Sequence, residues 1–134
     1  MTASTPRPRI AITLGDPRGI GPEVTRGALA DAEVANAAEW VLVGPEALLR
    51  PGTQDVSVGR WAEEEGAAAA GRIAGEAIRR ATEMALAGEI DAIITAPIEK
   101  NAFRAGGWHY PGHTEMLGEL AGASDVVMMM AAER

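Results

Sequence analysis

Four short apolar runs separated by stretches of helical spacing constrain this chain more than any other feature. Arg9-Ile-Ala-Ile-Thr-Leu14 ends at Gly15, Trp40-Val-Leu-Val43 at Gly44-Pro45, and Ala92-Ile-Ile-Thr95 just before Pro97; Asp125-Val-Val-Met-Met-Met130 is the last. Runs this short and this apolar fit strands buried on both faces. Between the second and third, residues 62–87 carry Ile73, Ala77, Ile78, Ala81, Met84 and Ala85 at spacings of three and four, the mark of an amphipathic helix. Gly66, Gly71 and Gly75 either weaken that helix by up to ~1 kcal/mol each relative to alanine or mark close packing against a neighbour. Pro22 suits the first position of an earlier helix, with Glu23 in its first turn, reaching about Asp31. Shorter helices are expected around 98–104, and from His113–Glu115 to Gly122. Residues 50–60 read as an irregular connection with a brief edge strand. Strands alternating with helices at this spacing predict an α/β fold, a mainly parallel sheet with flanking helices.

The 134 residues suffice for about one domain, and a mean hydropathy of −0.01 with 47% hydrophobic residues indicates a folded core. With one Phe and one Tyr, that core has to come from Ile, Val, Leu, Met and Ala, which suits thin helices lying close on a sheet. A formal charge of −7 argues against nucleic acid, since no basic stripe replaces counterions. No apolar run is long enough to span a membrane, and residues 1–8 read as a flexible N-terminus without a signal peptide. The absence of cysteine excludes disulfides and thiolate metal sites. These features predict a cytoplasmic, soluble protein.

Ligands of parallel sheets sit beyond the carboxyl ends of the strands, so the loops after the first and third runs are expected to face one crevice. In the first, Gly15-Asp-Pro-Arg-Gly-Ile-Gly-Pro22 begins a G-x-G-x-x-G, but Val24 takes the last glycine's place and Pro22 removes a donor. No Gly-Lys-Ser/Thr follows, so a P-loop fails as well. What remains fits either an anion cradle at a helix N-terminus or a plain turn in which Asp16 caps backbone amides. The second region carries Lys100, the one lysine among twelve basic residues, and then His113, Thr114 and Glu115. A lone ammonium suits a point-charge contact to phosphate or carboxylate, or is simply solvated. Thr114 is a plausible N-cap, and His113 beside it offers a donor to an anion, or packs as an ordinary polar residue. His109 and His113 are four apart, but Pro111 and Gly112 between them prevent a shared helical metal site. The acidic run Glu63–Glu65 reads as a solvated helix start, and Met128–Met130 as strand core.

Four segments, in order, resemble the 4-hydroxythreonine-4-phosphate dehydrogenase family of vitamin B6 synthesis, known as PdxA. They are Ile12-Thr-Leu-Gly-Asp-Pro-Arg-Gly-Ile-Gly-Pro-Glu23, Ile94-Thr-Ala-Pro-Ile-Glu-Lys100, Tyr110-Pro-Gly-His-Thr-Glu115 and Val126-Val-Met-Met-Met130. The resemblance implies the fold of the isocitrate and isopropylmalate dehydrogenases, which lack the Rossmann fingerprint. It implies oxidation and decarboxylation of 4-phosphooxy-L-threonine, or a related phosphorylated hydroxy acid, using NAD or NADP and a divalent metal, in a homodimer. By the same resemblance His113 and Thr114 contact the phosphorylated substrate, and Lys100 and Asp16 occupy family motif positions. Catalytic and cofactor-binding residues are not assigned, and the metal ligands are expected downstream of this chain.

The chain also departs from the family pattern. Arg18 stands where a small residue is usual, and the stretch between Gly44 and Glu63 is shorter than in many relatives. Family members are more than twice this length, so residues 9–134 are expected to form an incomplete, N-terminal α/β portion of a two-domain enzyme. Such a portion should be inactive alone and should expose an unpaired sheet edge that favours association. The alternative is a non-catalytic phosphate-binding or interaction module built on the same fold.

Overall fold

The computed structural model describes residues 4–133. The expected N-terminal segment 1–8 lies partly outside them; over residues 5–8 the chain has no helix or strand, and the Pro8 carbonyl accepts from Glu39 N–H at 2.8 Å.

Among the described residues nine elements follow in order: β1 (Arg9–Thr13), α1 (Gly21–Ala30), α2 (Ala32–Ala37), β2 (Glu39–Gly44), β3 (Val56–Ser57), α3 (Gly66–Leu86), β4 (Ala92–Thr95), α4 (Lys100–Ala105) and α5 (His113–Leu120). Short 3-10 turns lie at Glu46–Leu48 and Glu63–Glu65. The sheet order is β3-β2-β1-β4, with every pairing parallel. The parallel α/β reading is therefore correct, and β4, which stops before Pro97, is an edge strand.

Alternation along the strands separates two packed faces. Ala11, Val41 and Val43 meet Ala77, Ala81 and Met84 of α3 and Ile90 on one side. Ile12, Leu14 and Leu42 meet Leu29, Trp40, Leu48 and Leu49 on the other. A third cluster of Ile78, Phe103 and Met116 joins α3 to α4 and α5. Gly71 and Gly75 of α3 mark close packing, one of the two sequence readings, whereas a Cβ on Gly66 would meet nothing within 4 Å. A Cβ on Gly71 would lie 1.8 Å from the Ala102 carbonyl oxygen, and one on Gly75 would lie 2.1 Å from Trp108 Nε1. That indole N–H donates to the Arg72 carbonyl at 3.0 Å, so α4 and the loop after it are pinned to α3.

The helix from Pro22 ends at Ala30, with Asp31 as its C-cap, as expected; a second helix that was not expected follows at once, capped by Asp31, which accepts from the N–H groups of Glu33 and Val34 at 2.9 and 3.2 Å. An aspartate favours such a cap over helix interior. The predicted strand at 125–130 is not a strand. It has no pairing partner among the described residues, and Val127, Met129 and Met130 are 85–88% exposed, so the methionines are not core. Apolar, β-prone composition makes a strand only where a neighbour supplies the ladder.

Away from the crevice, Asp55 fixes the irregular connection. Its carboxylate accepts from the backbone N–H groups of Leu42 and Arg50 at 2.9 and 3.0 Å, and from the Arg50 guanidinium at 2.6 and 2.9 Å. Burial alone raises its pKa, but these donors outweigh that and hold it below the usual carboxylate value.

Candidate functional site

The loops after β1 and β4 meet. Asp16 N–H donates to the Pro97 carbonyl at 3.1 Å, and Ala96 N–H donates to the Thr13 carbonyl at 2.9 Å. Gly15 makes this approach possible. Its φ is +71°, and a Cβ there would stand 2.2 Å from the Pro97 oxygen. Together the loops enclose a crevice of about 470 Å³ whose walls include Asp16, Arg18, Ile20, Pro97, Ile98 and Glu99.

The crevice carries a network of charge. Asp16 is buried, and its two carboxylate oxygens accept from Arg18 Nε at 3.1 Å and Arg18 Nη2 at 2.8 Å. Asp16 also accepts from the Arg18 backbone N–H at 2.8 Å, so the Asx-turn reading of this aspartate is correct and the guanidinium is an addition to it. Arg18 Nη2 lies 3.8 Å from Glu99, whose own carboxylate caps α4 by accepting from Asn101 and Ala102 N–H at 3.0 and 2.6 Å. One arginine thus links the two loops. Sequence reasoning marked Arg18 only as unusual; its spacing of two from Asp16 was the available signal for the fork.

The other predicted site residues lie elsewhere. Lys100 is the first residue of α4 and is exposed. His113 and Thr114 open α5, and neither they nor Lys100 wall the crevice. Thr114 is not the N-cap. Gly112, extended at φ −176°, takes that position with no side-chain cap, so the helix starts at His113, two residues earlier than a Thr114 cap would give. His113 is half-buried, and its Nε2 is a buried polar atom without a hydrogen-bond partner. Desolvation pushes its pKa below the ordinary histidine value, so the ring is neutral near pH 7. An orphaned buried imidazole nitrogen costs roughly 1–3 kcal/mol.

A metal ion does not fit the residues present. No group of three His, Cys, Asp or Glu side chains is placed to hold one among the described residues. Nor is any helix there long and apolar enough to cross a membrane.

Residues 24–134 match the sequence profile of the pyridoxal phosphate biosynthetic protein PdxA. A 4-hydroxythreonine-4-phosphate dehydrogenase of Geobacter metallireducens is 37% identical over 158 residues, covering 96% of this chain and 47% of that protein. A D-threonate 4-phosphate dehydrogenase of Salmonella typhimurium is 34% identical, covering 93% and 47%. The crystal structure of a 4-hydroxythreonine-4-phosphate dehydrogenase from Burkholderia phymatum superposes with a TM-score of 0.84 at 34% identity, covering 96% of this chain and 48% of that one. The chain thus spans about half the length of the relatives it matches, corresponding to their N-terminal portion. It belongs to the PdxA family of pyridoxal phosphate biosynthetic proteins.

Proposed function

We propose that this chain supplies the phosphate-recognising half of an NAD(P)-dependent dehydrogenase acting on 4-phosphooxy-L-threonine or a closely related phosphorylated hydroxy acid. The observation that carries this reading is the orphaned Nε2 of His113 in the first turn of α5, within the Gly112-His-Thr-Glu115 segment. That nitrogen is covered here, so a ligand oxygen would satisfy it only once its cover moves aside, with the Thr114 hydroxyl as a second donor and the helix dipole favouring negative charge. Asp16 and Arg18 hold the crevice between the loops after β1 and β4 in shape, and Lys100 offers an exposed cation at the start of α4. The nicotinamide cofactor, when bound, accepts the hydride; no step of that transfer is assigned to residues of this chain. Divalent-metal ligands are assigned to polypeptide beyond these residues, because the residues here do not fit one. A homodimer is proposed for the complete enzyme.

The reading is tested by joining residues 1–134 to the remaining half of the Geobacter metallireducens relative and following NAD(P)H absorbance with 4-phosphooxy-L-threonine and a divalent metal. Substrate-dependent reduction, lost on His113→Ala, is the expected result. A folded chimera that binds the phosphorylated compound without reducing NAD or NADP would support the non-catalytic phosphate-binding module instead.

A further inference from the structure

The walls of the crevice between the loops after β1 and β4 are of two kinds: Asp16, Arg18 and Glu99 are charged, whereas Ile20, Pro97 and Ile98 are apolar. Asp16 spends both carboxylate oxygens on Arg18, accepting from Nε at 3.1 Å and from Nη2 at 2.8 Å. Those bonds take one N–H from each nitrogen of a group that carries five, and they lock its plane. Asp16 is therefore a holder, and the group it holds at the crevice is the Arg18 guanidinium.

Glu99 Oε2, on the other loop, lies 3.8 Å from Arg18 Nη2, too far for a hydrogen bond between them. Glu99 is itself held, since its oxygens accept from Asn101 and Ala102 N–H at 3.0 and 2.6 Å. Each of those oxygens carries a second lone pair. A held donor thus faces a held acceptor across a gap the size of one small polar group. A primary carboxamide is the complement: its oxygen accepts and its nitrogen donates, the two standing about 2.3 Å apart by ordinary bond lengths. Seated across the 3.8 Å gap, these atoms reach Arg18 and Glu99 with bonds of about 2.9 Å. A carboxylate there would satisfy Arg18 but meet Glu99 as a like charge.

The other walls select what carries the amide. Ile20, Pro97 and Ile98 offer apolar surface to the faces of a flat ring. The two carboxylates and one guanidinium leave one negative charge in excess, which suits a ring that is itself cationic. We infer that Arg18 and Glu99 hold the carboxamide of an oxidised nicotinamide ring, Arg18 donating to its oxygen and Glu99 accepting from its nitrogen. The inference rests on the dehydrogenase reading and adds to it the residues of this half that meet the cofactor. It makes no use of His113.

Amide NMR of the 134-residue chain tests this with NAD and its deamido analogue, in which a carboxylate replaces the carboxamide. Millimolar NAD is expected to shift backbone amides within residues 16–20 and 98–101. The deamido analogue is expected to bind about tenfold more weakly, having lost the N–H that Glu99 accepts and gained a charge that Glu99 repels. Glu99→Gln puts a donor where the carboxylate stood and is expected to bring the two ligands within about twofold of each other. Arg18→Lys keeps the charge but not the fork on Asp16, and is expected to weaken NAD about fivefold or more. Circular dichroism verifies folding of both variants. Equal affinity of the parent chain for the two ligands overturns the inference. So does a preference that survives Glu99→Gln, NAD binding that Arg18→Lys leaves unchanged, or NAD shifts confined to other residues. 4-Phosphooxy-L-threonine is titrated alongside. Its shifts in α5, with none from NAD in the crevice, overturn this inference and leave the phosphate reading standing; NAD shifts in the crevice with none from the substrate in α5 support the inference and overturn the phosphate reading.

Discussion

The backbone N–H of Asp16 donates to the carbonyl of Pro97 at 3.1 Å, and this bond holds the two strand-end loops as the walls of one crevice. It exists only because Gly15 places no side chain between them. Gly15→Ala is therefore expected to destabilise the fold by about 2–4 kcal/mol, combining a left-handed backbone with a clash against fixed main chain. Urea unfolding checks this, and a midpoint within error of the parent would contradict it.

Gly71 and Gly27 make a contrasting pair. Both lie in helices, where alanine is favoured by up to ~1 kcal/mol. A Cβ at Gly27 meets nothing within 4 Å, whereas one at Gly71 runs into the Ala102 backbone. Gly27→Ala should raise stability by about 0.5–1 kcal/mol, and Gly71→Ala should lower it by about 2 kcal/mol or more. Thermal and urea denaturation of the two variants side by side decides the matter.

Asp55 makes the connection before β3 dependent on pH. Its folded pKa lies below the ordinary carboxylate value, so its contribution is fully present above about pH 4 and is lost as pH falls through the lowered value. Asp55→Asn keeps the shape and removes the charge from two backbone donors and Arg50. A loss of about 2–3 kcal/mol at pH 7 is expected, discounted from a fully buried pair because Arg50 is partly exposed. The variant's unfolding free energy should also lose part of the parent's slope below pH 4.

His113 acts over a different window. Its folded pKa is depressed, so well above pH 6.5 both folded and unfolded forms are neutral there and the group adds no pH dependence. As pH falls from that value toward the lowered folded pKa, the unfolded chain binds the proton first and stability declines. His113→Gln should flatten this part of the profile. Chemical denaturation at half-unit intervals from pH 7.5 to 5 measures the difference.

Much of this architecture was legible because its signals are local. Strands β1, β2 and β4 are short apolar runs stopped by glycine or proline, and α3 declares itself by Ile73, Ala77, Ile78, Ala81 and Met84 at helical spacing. The meeting of the two loops followed from the rule for parallel sheets. What stayed hidden depends on partners distant in sequence. Residues 125–130 have strand composition but no ladder, and the choice of Gly112 over Thr114 as helix cap is a matter of backbone angle. The Arg18–Asp16 fork and the four donors gathered on Asp55 needed side-chain geometry that spacing alone does not supply.

The central claim is that the first turn of α5 recognises the substrate's phosphate, and amide NMR of this chain titrated with 4-phosphooxy-L-threonine tests it most directly. Saturable shifts confined to residues around His113–Glu115, weakened about tenfold or more by His113→Ala, are predicted. No shift in that turn, or one that His113→Ala leaves unchanged, would contradict it.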